Sequence, residues 1–340
     1  MSPAAPNEAR QRLVEDAQRT IAAGSKSFRF ASQIFGLEAR ERSWLLYAWC
    51  RACDDITDGQ TLGHDAQAPD KPDERLAFLR ANTDAALAGR PTGLVPFDAL
   101  ATVAAEVAIP PDLPHDHLAG FARDAAGWSP ANEAELLSYC YQVAGAVGVM
   151  MALVMGVPAT ERDTLDRASD LGIAFQLANI ARDIVDDAKV GRTYLPADWL
   201  AAEGLTGADL SDLKHRPALA SITRRLADLA ELYRRSSKVG AARLPFRSRW
   251  AVLSAAGIYG EVATRAVTLG PRAWDRRISI SKAEKFALVI EAFGEALMPP
   301  PKVSREGLWT RPLAPESAHR RGSPARPSAR QLAAHKESRN

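Results

Sequence analysis

The chain has 340 residues, 46% hydrophobic and 25% charged, and its 43 Lys/Arg against 41 Asp/Glu leave a net charge of +2. That composition excludes a wholly disordered, collagen-like or disulfide-scaffold protein and allows one large domain or two small ones. Three cysteines, Cys50, Cys53 and Cys140, are too few for a disulfide framework and fit a reducing compartment. The first twenty residues are polar, without the apolar stretch of a secretory signal. From there, apolar residues recur at three- and four-residue spacing. They predict helices over 13–23, 40–58, 73–88, 97–107, 116–126, 133–157, 161–187, 217–242, 249–269 and 282–298. Pro69, Pro72, Pro91, Pro96, Pro110, Pro111, Pro158, Pro196, Pro217 and Pro271 punctuate them. No alternating strand pattern appears. The longest apolar run, 143–157, is fifteen residues, short of the roughly 20 that a spanning helix needs. A soluble protein, or one that meets a membrane from one side, is expected.

The expected fold is all-α: a single helical domain over 8–299, packed around a central apolar region. Pro299-Pro300-Pro301 ends the last helix, since proline offers no helix hydrogen bond. Residues 300–340 are rich in Pro, Arg and Ser, with nine Lys/Arg and three Asp/Glu. They read as a mostly disordered tail, with Trp309 and Leu313 able to pin its start. Arg320, Arg321, Arg326 and Arg330 could meet phosphates, but a solvated tail is the preferred reading and no nucleic-acid partner is expected. Cys50-Arg51-Ala52-Cys53 lacks the second cysteine pair or preceding strand that redox or zinc chemistry requires. Pro114-His115-Asp116-His117 reads as a helix start, with Asp116 or His115 capping. His64 sits in a polar stretch and reads as solvated.

Two acidic segments stand out. In Tyr47-Ala-Trp-Cys-Arg51-Ala-Cys-Asp54-Asp55-Ile-Thr-Asp58, a helix places Tyr47, Arg51, Asp54 and Asp58 within about 60° of one another. Carboxylates one turn apart repel unless a cation lies between them. In Phe175-Gln176-Leu-Ala-Asn179-Ile-Ala-Arg182-Asp183-Ile-Val-Asp186-Asp187, the residues Asn179, Asp183 and Asp187 form an oxygen stripe about 80° wide on an otherwise apolar helix. Solvated acidic faces are the plain alternative. Facing each other, the two stripes suit a hard cation such as Mg²⁺ completed by phosphate oxygens, and the interleaved Arg51 and Arg182 suit a diphosphate.

These segments, with Gly24-Ser-Lys-Ser-Phe28, Tyr139-Cys-Tyr-Gln-Val-Ala-Gly-Ala-Val-Gly148 and Gly191-Arg-Thr-Tyr-Leu-Pro196, resemble the signatures of the squalene/phytoene synthase family, in the family's order over about residues 20–298. The resemblance implies an isoprenoid-synthase-type helical bundle around a central apolar cavity. It also implies a prenyltransferase that joins two geranylgeranyl diphosphates head to head, through a cyclopropylcarbinyl diphosphate, in the first committed step of carotenoid biosynthesis. Asp54, Asp58, Asn179, Asp183 and Asp187 would hold Mg²⁺, with Mn²⁺ as a substitute. Arg51 and Arg182 would bind diphosphate, and Ser25, Lys26 and Ser27 would close over it. Phe28, Tyr47, Tyr139, Gln176 and Tyr259 would line the site. Asp55 and Asp186 point away from the stripes. Arg192 and Tyr194 would stand close behind. Gly24 departs from relatives that carry His there. The small and apolar residues Val143, Gly145, Val147, Gly148, Met151 and Leu153 would wall a hydrocarbon channel and leave room in it. No NADPH is expected. Peripheral contact with the inner face of the cell membrane is expected, from the cytoplasm, and contact with other carotenoid-pathway enzymes is left open. Three alternatives remain: a dehydrosqualene or squalene synthase using farnesyl diphosphate, a non-catalytic family member, and a nucleic-acid-binding module led by the tail.

Overall fold

Helical periodicity and proline punctuation together set the architecture of the computed structural model, which describes residues 6–24, 31–57 and 71–312. The helices are α1 (Pro6–Gly24), α2 (Leu37–Thr57), α3 (Pro72–Leu87), α4 (Val95–Val107), α5 (Asp112–Ala125), α6 (Glu133–Cys140), α7 (Ala146–Val154), α8 (Arg162–Lys189), α9 (Ala197–Ala202), α10 (Arg216–Ala241), α11 (Phe246–Leu269) and α12 (Lys282–Leu297). No strand occurs among the described residues. All ten predicted segments are helical. The short α9 was not anticipated, because six residues are too few to display a period. Proline occupies the first turn of α3, α4 and α10, where its missing N–H costs nothing. At the start of α12, Ser281 N donates to Glu284 Oε2 at 2.8 Å and Glu284 N donates to Ser281 Oγ at 3.3 Å, a reciprocal cap.

The start of α5 corrects the sequence reading. The helix begins at Asp112, so His115 and Asp116 are not caps. Asp116 instead accepts the Tyr141 hydroxyl. Asp84 and His115 pair at 3.2 Å on the surface.

α8 is the central element, packed against α7, α10 and α11. Its approach to α7 depends on missing side chains. A Cβ on Gly172 would lie 2.2 Å from Ala144 O, and one on Gly148 would lie 2.4 Å from Ala168 O. α6 and α7 are one continuous helix joined by a π turn, Tyr141–Gly145, an irregularity often found beside functional sites. By length and composition Glu133–Val154, 22 residues, could cross a membrane, which the fifteen-residue run in the sequence did not suggest. In this fold it is a core helix, with 61% of its most apolar window buried.

Packing continues past the proline run that was expected to end it. Asp170 is fully buried and is gripped by Arg305, whose Nη2 donates to Oδ1 at 2.7 Å and Nε to Oδ2 at 2.8 Å. Ser236 Oγ donates to the same Oδ2 at 2.6 Å. Arg311 Nε donates to Asp166 Oδ1 at 2.7 Å, and Trp309 N donates to the Tyr233 hydroxyl at 3.0 Å. Residues 301–312 therefore form a strap across α8 and α10. Leu313 and the rest of the tail lie outside the described residues, as does His64.

Candidate active site

The lining residues of one cavity of about 800 Å³ come from α2, α5, the α6–α7 helix, α8, α10 and α11. α8 supplies its longest wall. Thr164, Ala168, Leu171, Phe175, Asn179, Asp183 and Asp187 recur at three- and four-residue intervals along a single face. The charge is unevenly placed. Most carboxylates and arginines gather at the C-terminal end of α8, whereas Phe35, Leu46, Met151, Met155, Leu244 and Val252 wall other parts, with Arg167 the charged residue toward the N-terminal end of α8.

Tyr47, Arg51, Asp54, Tyr139, Gln176, Asn179, Arg182, Asp183, Asp187 and Tyr259 all line this cavity. Ser25, Lys26, Ser27, Phe28 and Asp58 fall outside the described residues, and so does the loop that follows Gly24. Described residues of both acidic segments, Asp54 from the first and Asn179, Asp183 and Asp187 from the second, thus face one space. Asp55 does not line it, in keeping with its helix angle. It accepts from Arg51 Nε at 3.2 Å, while Arg51 Nη1 donates to Asp54 Oδ2 at 3.0 Å. On α8, Arg182 Nε donates to Asp183 Oδ1 at 2.8 Å and its Nη2 closes the fork on Oδ2. That carboxylate raises the Arg182 pKa. Burial, then the neighbouring Asp183, pushes the Asp187 carboxyl up to about 6, against the pull of Arg192. The polar end therefore sets buried carboxylates beside arginines, and Asp187 is the one that burial most disfavours as an anion. No three His, Cys, Asp or Glu side chains converge as a ready metal cluster among the described residues.

Several lining residues escaped the sequence reading. Asp124, at the end of α5, accepts the Tyr139 hydroxyl at 2.9 Å and the Tyr194 hydroxyl at 2.9 Å, and the two rings stack at 5.0 Å. Burial and this carboxylate raise both phenol pKa values. An aspartate in the last turn of a helix opposes the helix dipole, a signal that could have marked it. Arg277 and Phe121 also line the cavity, and nothing in their sequence context set them apart. Arg192 and Tyr194 are lining residues as well. Phe175 stacks on Tyr259 with ring centroids 4.0 Å apart.

His117, read earlier as part of a helix start, is instead a wall residue. Its Nδ1 donates to Gln142 O at 3.2 Å and its ring meets Trp49 and Phe121. Nε2 has no hydrogen-bond partner among the described residues. Burial holds the imidazole down to about 4, so it is neutral. Of the expected hydrocarbon wall, Val143, Val147, Gly148 and Met151 face the cavity, while Leu153 is in the core and Gly145 packs against Ser169. Gly145 and Gly148 serve the close approach of two helices rather than leaving free room. Cys50 is another wall residue, its thiol pushed up to about 12 by burial, and Cys53 is buried. Neither is poised for redox chemistry.

Residues 21–284 match the model of the squalene/phytoene synthase family. The chain is 45% identical over 308 residues to a 15-cis-phytoene synthase of Pantoea ananas, an alignment covering 88% of this chain and 98% of that one. It is also 45% identical over 303 residues to a 15-cis-phytoene synthase of a Paracoccus species, with the same coverage. The crystal structure of a dehydrosqualene synthase with ligand superposes with a TM-score of 0.75 at 27% identity, covering 85% of this chain and 98% of that one. The cavity thus lies in a chain that belongs to the squalene/phytoene synthase family.

Proposed function

We propose that this protein condenses two geranylgeranyl diphosphates head to head into phytoene, releasing two diphosphates. The observation that carries the reading is a single cavity that Asp54 of one helix and Asn179, Asp183 and Asp187 of another both line, with a long, largely apolar wall beside them. From Asn179 back to Thr164 the wall spans fifteen residues of α8, about 22 Å of helix. A twenty-carbon prenyl chain is roughly 20 Å long, the length of about 14 helical residues. The near full-length likeness to bacterial phytoene synthases supports the same substrate.

In this reading Arg51, Arg182, Arg192 and Arg277 take diphosphate oxygens, as planar forks suit them. Asp54, Asn179, Asp183 and Asp187, with Asp58, are hard oxygen donors that fit Mg²⁺ or Mn²⁺. When bound, the metal supplies Lewis-acid stabilisation of the leaving diphosphate. Asp54 and Asp183 are now turned onto arginines. Substrate entry lets those arginines exchange carboxylate for diphosphate and frees the carboxylates for the cation. Phe175, Tyr259, Tyr139 and Tyr47 offer aromatic faces to the allylic cation, and the apolar wall excludes water that would quench it. Asp124 fixes the Tyr139 and Tyr194 rings. The second substrate's alkene attacks the cation and a cyclopropylcarbinyl diphosphate forms. Its re-ionisation, rearrangement and loss of one proton leave the central double bond, so no hydride donor is required. A hydrocarbon substrate and product also argue for peripheral attachment at the cytoplasmic face of the membrane.

The test is product analysis. Purified protein with Mg²⁺ and geranylgeranyl diphosphate is expected to yield phytoene without NADPH. Asp54→Ala and Asp183→Ala should each abolish it without accumulating the cyclopropyl intermediate. The structural neighbour that makes dehydrosqualene favours a fifteen-carbon alternative, and exclusive turnover of farnesyl diphosphate would establish it instead.

A further inference from the structure

The outer face of α12 is apolar where a surface helix should be polar. Its inner residues Val289, Ala292 and Ala296 are buried against the bundle. Its outer residues Phe286, Ile290, Phe293 and Leu297 are 59%, 57%, 40% and 65% exposed. At 100° per residue, Ala283, Ala287 and Gly294 fall among them, so an arc about 120° wide carries no charged side chain. Phe246 of α11, 42% exposed, extends the stripe through an edge contact with Phe293 at 5.6 Å. A helix apolar on both faces has an unmet partner.

We infer that this stripe is the surface by which the protein lies on an anionic phospholipid bilayer, an inference that rests on the proposed turnover of lipid-soluble chains. Three observations select lipid. The stripe, Ala283 to Leu297, is about 21 Å long and one helix wide, roughly 210 Å² against the ~800 Å² per partner of a stable dimer. Such a strip suits a helix embedded in the headgroup region. Second, basic side chains stand at both ends of it: Lys282 at its start, and Arg249 at its end, where Nη2 donates to Met298 O at 2.5 Å, although Glu291 flanks one side. Residues 313–340 add six Lys/Arg against two Asp/Glu. Their only large aliphatic side chains are Leu313 and Leu332, a composition that suits anionic headgroups better than an apolar partner face. Third, the stripe adjoins the apolar end of the cavity. Val289 shares a core cluster with Phe35, Met155 and Leu244, all cavity residues. Trp250 Nε1 donates to Val289 O at 2.8 Å, and the next residues, Ala251 and Val252, line the cavity. Docked this way, the hydrocarbon end of the cavity faces the bilayer and the diphosphate end faces water.

The experiment is co-sedimentation of the full chain with vesicles of phosphatidylglycerol and phosphatidylcholine, against phosphatidylcholine alone. The expected result is binding that favours the anionic vesicles and falls about tenfold or more in Phe286→Ser/Ile290→Ser/Leu297→Ser. Deleting 313–340, with its six Lys/Arg, should weaken the anionic preference while leaving the apolar component. Circular dichroism and turnover in detergent micelles should be unchanged in the triple variant. Vesicle binding equal to wild type in that variant would overturn the inference. So would light scattering that reveals a dimer broken by the same substitutions in a protein that never binds vesicles. Absence of phytoene from the micellar wild type would defeat the catalytic reading whatever the vesicles show, so the two failures are distinguishable.

Discussion

Acidification should destabilise this protein through one buried imidazole. His117 is 4% exposed. Its Nδ1 proton is committed to Gln142 O at 3.2 Å, and Nε2 faces no partner among the described residues. A second proton would place a cation among Trp49, Phe121 and the cavity wall, and burial depresses the pKa from 6.5 to about 4. Between those values the unfolded chain binds a proton that the folded chain refuses, so stability falls as pH drops below about 6.5. At pH 5 the unfolded state gains about 1.5 pKa units of protonation advantage, or about 2 kcal/mol. His117→Asn keeps an amide donor for Gln142 O and cannot be charged. Urea unfolding of both proteins at pH 7.5 and pH 5 gives the comparison. Glu106 and Asp163, whose pKa values are lowered by their arginine partners although burial opposes this, lose stability on acidification in both proteins and cancel. Wild type should lose about 2 kcal/mol more than the variant. Equal losses would refute the argument.

Two other perturbations test the framework around the cavity. Gly148→Ala drives a Cβ to 2.4 Å from Ala168 O, a backbone atom that cannot swing aside. It should cost about 1–3 kcal/mol in denaturant unfolding and lower turnover as α7 lifts from α8. Asp170→Ala leaves Arg305 buried without its carboxylate and should cost about 3–5 kcal/mol. The pair Asp170→Leu/Arg305→Met should recover most of that loss in the same unfolding assay, because no charge is then stranded.

The helices were legible because 3.6-residue periodicity survives in long amphipathic segments and proline marks their starts. The acidic stripes were legible for the opposite reason: Asp183 and Asp187 break the apolar pattern of a helix buried on every other side. Asp124 and Arg277 sit in ordinary polar contexts, and only the tertiary approach of α5 and the 270s loop brings them to the cavity. The glycines of α7 show a different limit. Sequence reveals that Gly148 is small but not which neighbour requires it, and the neighbour is the α8 backbone. Trp309 was legible as a pin for the start of the tail, whereas the pairing of Arg305 and Arg311 was not, because their partners Asp170 and Asp166 lie over 130 residues upstream.

That strap has a consequence for biosynthesis. Asp170 is synthesised 135 residues before the guanidinium that neutralises it. Until then the nascent chain lacks the partner that makes enclosing this carboxylate favourable. A message truncated before codon 305 would release a chain with that deficit permanent, a substrate for proteolysis, whereas a fusion joined after Pro312 would leave the latch intact.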